Sequence, residues 1–386
     1  MTQGQAHSPR TGSSGEFNSA HAFQRVAVIG AGAWGTALAI SAARAGRQVR
    51  LWTRHAEFAA RLNHDRCNCR YLPKARLPAS ISACSRYQDA LKDAQLILLV
   101  VPSQFVRSTC ETIAALKNEA VPVLICAKGM EHGSGLLLTE VVAQTLPDHP
   151  CAVLSGPSFA DEVAAGMPTA VSVASADADA SGADSLAARI ALTLGTRAFR
   201  PYVSDDLVGV AVGGAVKNVL AIASGIASGL GLGANTRALL ITRGLEEVKR
   251  LTLALGGRET TVTGLAGLGD LSLTCSSEQS RNMRYGISLA RGQRDNGPRT
   301  ELVEGAENVV AVTDLARKHG VEMPICAAVR AIVVDGARID AQMETLLSRP
   351  LKTESDAIAW RQPHATAGPK PQQAHQADSV LVRSFA

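Results

Sequence analysis

A lysine stranded in an apolar run is the first residue in this sequence with a clear capacity for chemistry. Lys217 is the single charge inside VGVAVGGAVKNVLAIASGI. An ammonium group among Ala, Val, Gly and Ser loses hydration, and a lysine seldom enters a fold without a partner or a role. The same desolvation lowers its pKa, so the side chain could take or give a proton near neutral pH. Residues 205 to 250 read as one long helix. Gly213, Gly214, Ala221, Ser224, Gly225 and Ser228 recur with Lys217 at spacings of three and four, along one face. Small residues there admit other backbone and leave a hollow around the amine. Three readings remain open for Lys217. It is a catalytic group, a structural lysine snorkelling from a core helix, or a charge in a transmembrane span of roughly 20 residues. The many Gly and Ser and the lack of basic flanks count against the span.

Other polar groups gather at points where strands end. RVAVI (25–29) is a short apolar strand, GAGAWG follows at Gly30 to Gly35, then helical TALAISAARAG closed by Gly46, then the strand QVRLWT. This is a βαβ unit with G-x-G-x-x-G at its first turn. Gly30 permits the tight turn, Gly32 lets backbone approach a pyrophosphate, and Gly35 lets helix and strand pack closely. The helix start then offers free N–H groups to phosphates, so the unit reads as a dinucleotide site. A cofactor lacking the 2′-phosphate favours Asp or Glu at the tip of the second strand. Here stand Trp52, Thr53, Arg54 and His55, with no carboxylate before Glu57. Arg54 is either a clamp for the 2′-phosphate of NADP(H) or a solvated loop arginine.

Lys128 ends the strand run VPVLICAKGM, and Ser155, Gly156, Pro157 and Ser158 form a turn after AVLS. Both lie at the carboxyl edge, where open α/β sheets bind ligands. In LAGLGDLSLTCSSEQSRNMRYG (265–286), Asp270 follows a glycine pair, and Ser280, Arg281 and Asn282 stand near a helix start. That trio suits a phosphate, through paired arginine donors and free N–H groups. An N-cap serine followed by a solvated arginine is the plain alternative. Glu304, in LVEG, is a site carboxylate or a surface one.

The elements that must position these groups follow from size and pattern. With 386 residues and 46% hydrophobic content, two domains are the default. The fold class is α/β, with an N-terminal Rossmann-type doubly wound sheet domain over 24–204 and a C-terminal all-α domain over 205–360. QLILLVVP (95–102) supplies a further strand, and TAVSVAS and RAFRPYV two more around a helix at 180–194. Past 205 the pattern is helical, with Gly-rich joints at GLGLGAN, ALGGRET and GLAGLGD. Residues 1–23 and 361–386 are polar and read as a disordered extension and tail. No signal peptide is expected from this start. A net charge of +5, with scattered basic residues, gives no nucleic-acid stripe and no membrane insertion. The eight cysteines lack CxxC pairs and histidines at zinc spacing. They read as buried free thiols in a reducing cytoplasm, with no metal, and Cys67 and Cys69 are the only close pair.

Taken together, these pieces resemble the bacterial-type NAD(P)-dependent glycerol-3-phosphate dehydrogenases, from about residue 24 to about 356. The likeness is carried by GAGAWGTALA, YLP, VPS, AKG, LSGPSFADEVAAGMPTA, VGGAVKNVLAIASGI and NTRALLITRGL. Further on it continues through GLAGLGDLSLTCSSEQSRN, LVEG, VEMPI and RPLKTE. The resemblance implies a cytoplasmic oxidoreductase of glycerophospholipid biosynthesis. It would use NAD(P)H to reduce dihydroxyacetone phosphate reversibly to sn-glycerol 3-phosphate, and a homodimer is compatible with it. Lys217 would be the proton acceptor. Lys128, Gly156, Ser158, Lys217, Asp270, Ser280, Arg281 and Asn282 would hold substrate. Gly30, Gly32, Ala33, Trp34, Gly35, Arg54, His55, Lys128, Ala160, Arg281, Leu302 and Glu304 would line the cofactor site. Two positions depart from the family pattern: Ala33 stands where serine is common, and Ala127 where the family has threonine before its lysine. Two rival functions remain, a β-hydroxyacid dehydrogenase taking a carboxylate substrate and a non-catalytic dinucleotide sensor.

Overall fold

Alternating side-chain direction along a continuously buried first strand explains the two-sided core of the sheet. In β1 (Arg25–Ile29), Val26 and Val28 join one apolar layer while Ala27 and Ile29 join the other, as successive strand side chains must. A strand covered on both faces reads as a continuous apolar run. The computed structural model describes residues 21–116, 119–177, 184–293 and 302–350. The expected extension before residue 21, the tail beyond 350 with most of RPLKTE, and the first turns of the helix expected from 180 therefore lie outside the described residues.

The remaining strands are β2 (Gln48–Trp52), β3 (Cys67–Asn68), β4 (Leu72–Arg76), β5 (Ile81–Cys84), β6 (Leu96–Leu99), β7 (Val123–Ile125), β8 (Cys151–Ser155), β9 (Thr169–Ser175) and β10 (Phe199–Ser204). Eight of them form one sheet in the order β10-β9-β8-β7-β6-β1-β2-β5. Every pair is parallel except β8 with β9. The chain runs outward from β1 in both directions, so the strand order reverses between β1 and β6, and the crevice past their carboxyl ends is the natural ligand position. The glycine turn sits in that crevice. A Cβ on Gly30, whose φ is +122°, would lie 2.7 Å from Val100 O, and one on Gly35 would lie 1.8 Å from Gly30 O. Only glycine fits either position.

Three sequence expectations need correction. The stretch 205–250 is not one helix but two, Leu207–Gly229 and Ala234–Ala254. The break falls at Gly231, with φ +75°, a left-handed conformation that ends a helix cheaply only at glycine. The β3–β4 hairpin was not foreseen, because two-residue β3 is too short for a period to register. Third, the glycines beside Lys217 do not frame open space but are packed against neighbouring segments. Cβ atoms on Gly213, Gly214 and Gly225 would fall 2.5 Å from Ala266 O, 2.9 Å from Ser155 Oγ and 2.1 Å from Met283 O.

From Leu207 onward every described element is helical. Asp206 caps the Lys217 helix, its Oδ1 accepting from Gly209 N at 2.8 Å, while Oδ2 accepts from Arg258 N at 2.8 Å. Among the described residues this is the one helix long and apolar enough to cross a bilayer, yet 78% of that stretch is buried within the fold. Helices Asp270–Ser276, Arg281–Ala290, Glu304–Lys318 and Pro324–Val333 surround it. It is the centre of the helical core.

Gly286 is where the Arg281–Ala290 helix touches the Lys217 helix, and a Cβ there would lie 2.2 Å from Ile222 O. Gly286→Ala is expected to push the two helices apart at a cost of about 1–3 kcal/mol. Calorimetry should show a melting temperature several degrees lower; an unchanged value would mean that the crossing is not close-packed.

Candidate active site

Lys217 meets a carboxylate, and that carboxylate meets a second lysine. Lys217 is 7% exposed and Asp270 1%. Lys217 Nζ donates to Asp270 Oδ1 at 2.6 Å and to Thr274 Oγ1 at 3.0 Å. Lys128 Nζ donates to Asp270 Oδ2 at 2.6 Å and to Gly156 O at 3.3 Å. Ser158 Oγ donates to the same Gly156 carbonyl at 2.9 Å. Lys128 follows β7, Gly156 and Ser158 follow β8, and Lys217 and Asp270 come from two helices, so four separate segments converge.

Each segment is shaped to bring its group in. Gly156 has φ +146°, and a Cβ there would lie 2.9 Å from Val171 Cα, so the turn after β8 has no room for a side chain. A π-helical turn, Leu265–Gly269, precedes Asp270. Its Gly267 packs on Val262, where a Cβ would come within 1.9 Å of the carbonyl oxygen. Such turns are rare and recur at functional sites. The stretch that looked like a flexible glycine joint is therefore a tight turn that seats Asp270 under Lys217.

Electrostatics follow from burial. Desolvation drives the Lys217 ammonium down to about 8; Asp270 opposes the shift, and the like charge of Lys128 adds to it. Burial alone would push the Asp270 carboxyl up, yet the Lys128 and Lys217 ammonium groups hold it below the ordinary carboxylate value. Asp270 is thus a carboxylate at neutral pH, and Lys217 can exchange a proton close to it.

A second chain of polar groups starts at the next residue. Asn218 Nδ2 donates to Glu304 Oε2 at 3.1 Å, and Asn218 Oδ1 accepts from Asn282 Nδ2 at 3.0 Å. Asn282 Oδ1 accepts from Gly305 N at 2.8 Å. Ser280 caps the Arg281–Ala290 helix, its Oγ accepting from Met283 N at 3.3 Å, and Arg281 follows it, exposed. The N-cap reading of Ser280 is thus correct, and its hydroxyl hydrogen is still available to a ligand. Asn218 and Thr274 were missed in the sequence. Asn218 is a second polar residue within the apolar run, and Thr274 lies one helical turn after Asp270; these are the signals that could have found them.

On the sheet side, Gly32 is the N-cap of helix Ala33–Arg44, with no side chain capping its free N–H groups and nothing within 4 Å of where a Cβ would sit. Trp34 has a buried indole Nε1 without a hydrogen-bond partner. Arg54 and His55 lie exposed just past β2, with Arg54 Nε donating to His55 Nε2 at 2.9 Å. Ala160 is the first residue of helix Ala160–Ala165, and half-buried Leu302 stands just before the Glu304–Lys318 helix. Among the described residues, no three His, Cys, Asp or Glu side chains group as a metal site.

Comparison with known proteins gives consistent matches. The family model for the NAD-dependent glycerol-3-phosphate dehydrogenase N-terminus matches residues 25–181, and that for the C-terminus matches 206–344. A glycerol-3-phosphate dehydrogenase [NAD(P)+] of Rhodospirillum rubrum is 47% identical over 348 residues, 89% of this chain and 98% of that protein. One from Caulobacter vibrioides is 49% identical over 336 residues, covering 86% and 99%. A crystal structure of glycerol-3-phosphate dehydrogenase from Coxiella burnetii superposes with TM-score 0.78 at 41% identity, covering 84% of this chain and 99% of that one. The ternary structure of D-mandelate dehydrogenase with NADH and anilino(oxo)acetate, at 15% identity and TM-score 0.55, shares the fold alone.

The three charges make opposite predictions for two substitutions. Asp270→Asn removes the group that favours the Lys217 ammonium, so Lys217 should titrate below about 8. Lys128→Met removes a like charge and should move it above. Heteronuclear NMR of the lysine side chains checks both signs; shifts in the same direction would contradict the arrangement.

Proposed function

We infer the chemistry from one premise: the chain belongs to the NAD-dependent glycerol-3-phosphate dehydrogenase family. It is an NAD(P)-dependent oxidoreductase that interconverts dihydroxyacetone phosphate and sn-glycerol 3-phosphate, the backbone of glycerophospholipids. The proposed division of labour gives cofactor mainly to the sheet domain, residues 24–204, and substrate mainly to the helical domain that starts at residue 205, with each lending residues to the other's ligand. A cytoplasmic setting is supported by eight cysteines that are all free.

The residues at the glycine turn fit a dinucleotide. Gly32 leaves open space over an uncapped helix start, and the buried Trp34 indole N–H lacks a partner. Gly30, Gly32, Ala33, Trp34 and Gly35 would hold the pyrophosphate side, and Arg54 with His55 the adenosine ribose. Ala160, Arg281, Leu302 and Glu304, with Lys128, would line the remainder. When bound, the nicotinamide supplies the hydride in reduction and accepts it in oxidation.

The observation that carries the mechanism is the Asp270 carboxylate shared by two ammonium groups in a site nearly closed to water. Protonated Lys217 donates to the carbonyl oxygen as negative charge builds there; neutral Lys217 removes the C2 hydroxyl proton in the other direction. Lys128 stabilises the same developing charge. Asp270 orients both amines through separate oxygens, and Thr274 gives Lys217 a second fixed contact. Ser280, Arg281 and Asn282 anchor the phosphate: the serine hydroxyl hydrogen, one asparagine amide hydrogen and the exposed guanidinium are not consumed by the hydrogen bonds described above. Anchoring at that end fixes the carbonyl against Lys217 and lowers the entropy cost of alignment.

Two lysines round a carboxylate, next to phosphate-type donors, favour a phosphorylated ketone over a small keto acid. NAD(P)H oxidation should therefore be fast with dihydroxyacetone phosphate and slow with 2-keto or 3-keto acids. A preference for keto acids would support the β-hydroxyacid reading, and no turnover of any substrate the sensor. Lys217→Ala should lose about 10²–10⁴-fold in kcat while still binding NADPH. A near-normal kcat would remove Lys217 from proton transfer.

A further inference from the structure

Beside the glycine turn lies a pair of sulfurs that the reaction does not use. Cys67 and Cys69 flank Asn68, and their Sγ atoms are 2.8 Å apart. The β3–β4 register shifts between Cys67 and Asn68, so the backbone is already irregular where the two side chains meet. Cys69 is exposed and Cys67 half-buried. Its hydrogen bond with Cys69, which favours the protonated thiol, and some burial push Cys67 up to about 11. An oxidant arriving from solvent therefore reaches Cys69 first.

What makes the pair consequential is the residue between them. Asn68 is fully buried. Its Nδ2 donates to Ala31 O at 3.0 Å and to Thr36 Oγ1 at 2.7 Å, and its Oδ1 accepts from Tyr71 N at 3.1 Å. Ala31 lies inside the glycine turn and Thr36 in the first turn of the helix that follows. One side chain thus ties the Cys67–Cys69 backbone to the turn assigned to the dinucleotide.

We propose that Cys67 and Cys69 form a redox modification site, closing to an intramolecular disulfide by exchange with a small-molecule disulfide and thereby weakening cofactor binding. The effect on binding rests on the dinucleotide reading of the glycine turn. The Cys69 thiolate attacks one sulfur of the small disulfide and expels the first thiolate. Cys67 then loses its proton to solvent and attacks the Cys69 sulfur, expelling the second. Two electrons leave the protein pair, and the small disulfide is reduced to two thiols. The new bond closes a ring through the Asn68 backbone itself, so the dihedrals that aim its amide into the glycine turn change with it. Reduction restores them. The other cysteines form no such pair; Cys84 and Cys151 are half-buried, and burial pushes them up to about 11 and about 12.

The test treats the purified full-length protein with oxidised glutathione and reads intact mass, peptide map and NADPH affinity by fluorescence. The expected result is loss of two hydrogens mapped to Cys67–Cys69, an NADPH Kd raised about tenfold, as for losing one or two hydrogen bonds, and recovery with dithiothreitol. Cys67→Ser and Cys69→Ser should each keep their affinity through the same treatment. A stable glutathione adduct on Cys69 without the bridge would overturn the proposal. So would a bridge that leaves Kd unchanged. Reduced protein that binds no NADPH would overturn the dinucleotide reading and the switch with it, while the mass readout would still score bridge formation separately.

Discussion

A carboxylate removed from water and held between two ammonium groups is the constraint on which this site depends. Alone, an ionised Asp270 would be costly to bury, and it would take up a proton instead. Lys128 and Lys217 keep it charged. In return it keeps two like charges within reach of one another. Removing Asp270 would leave two like charges buried together without compensation, which is far more damaging than the loss of an exposed pair. Two positive charges and one negative leave a net positive site, suited to a substrate that is anionic and to an oxygen that becomes so during reaction.

This triad can form only because backbone comes unusually close to backbone. Gly213 lets the Asp270 turn press on the Lys217 helix, Gly267 lets that turn pack on Val262, Gly214 lets the Lys217 helix approach Ser155 at the end of β8, and Gly225 and Gly286 set the crossing of the Arg281–Ala290 helix. Side chains at these positions would hold the segments ångströms apart, and hydrogen bonds of 2.6 Å do not survive such shifts. The low aromatic and high glycine content of the sequence is thus part of how the catalytic groups are placed. Asn218 extends the arrangement, tying the residue beside Lys217 to Glu304 and Asn282 and so linking the amine's helix to the proposed phosphate anchor.

What the sequence made legible was what is local. The strand, glycine turn and helix at 25–44 could be read because their signals lie within one short stretch, and Lys217 stood out because nothing near it is charged. Asp270, Ser280, Arg281 and Asn282 could be picked out as polar types in a dense cluster, and the family resemblance assigned their roles. Thr274 and Asn218 carried only weak local signals and were passed over, since their meaning lies in partners 57 and 86 residues away. The π-helical turn at Leu265–Gly269 looked like a loose joint because glycines signal flexibility and close contact alike, and only the neighbouring backbone tells them apart. The helix break at Gly231 falls in the Gly-rich joint GLGLGAN, which the reading of 205–250 as one long helix ran across. Cys67 and Cys69 were visible as a close pair, but the buried amide between them took its significance from Ala31 and Thr36, which sequence spacing does not bring near.

The most direct test of the shared carboxylate is a double-mutant cycle on kcat for dihydroxyacetone phosphate reduction, using Lys217→Ala, Asp270→Asn and the pair together. If Asp270 works by holding Lys217 in place, its loss should cost little more once Lys217 is gone, and the double variant should resemble Lys217→Ala. Multiplicative losses would mean that the two residues act independently and that the triad is not the catalytic unit.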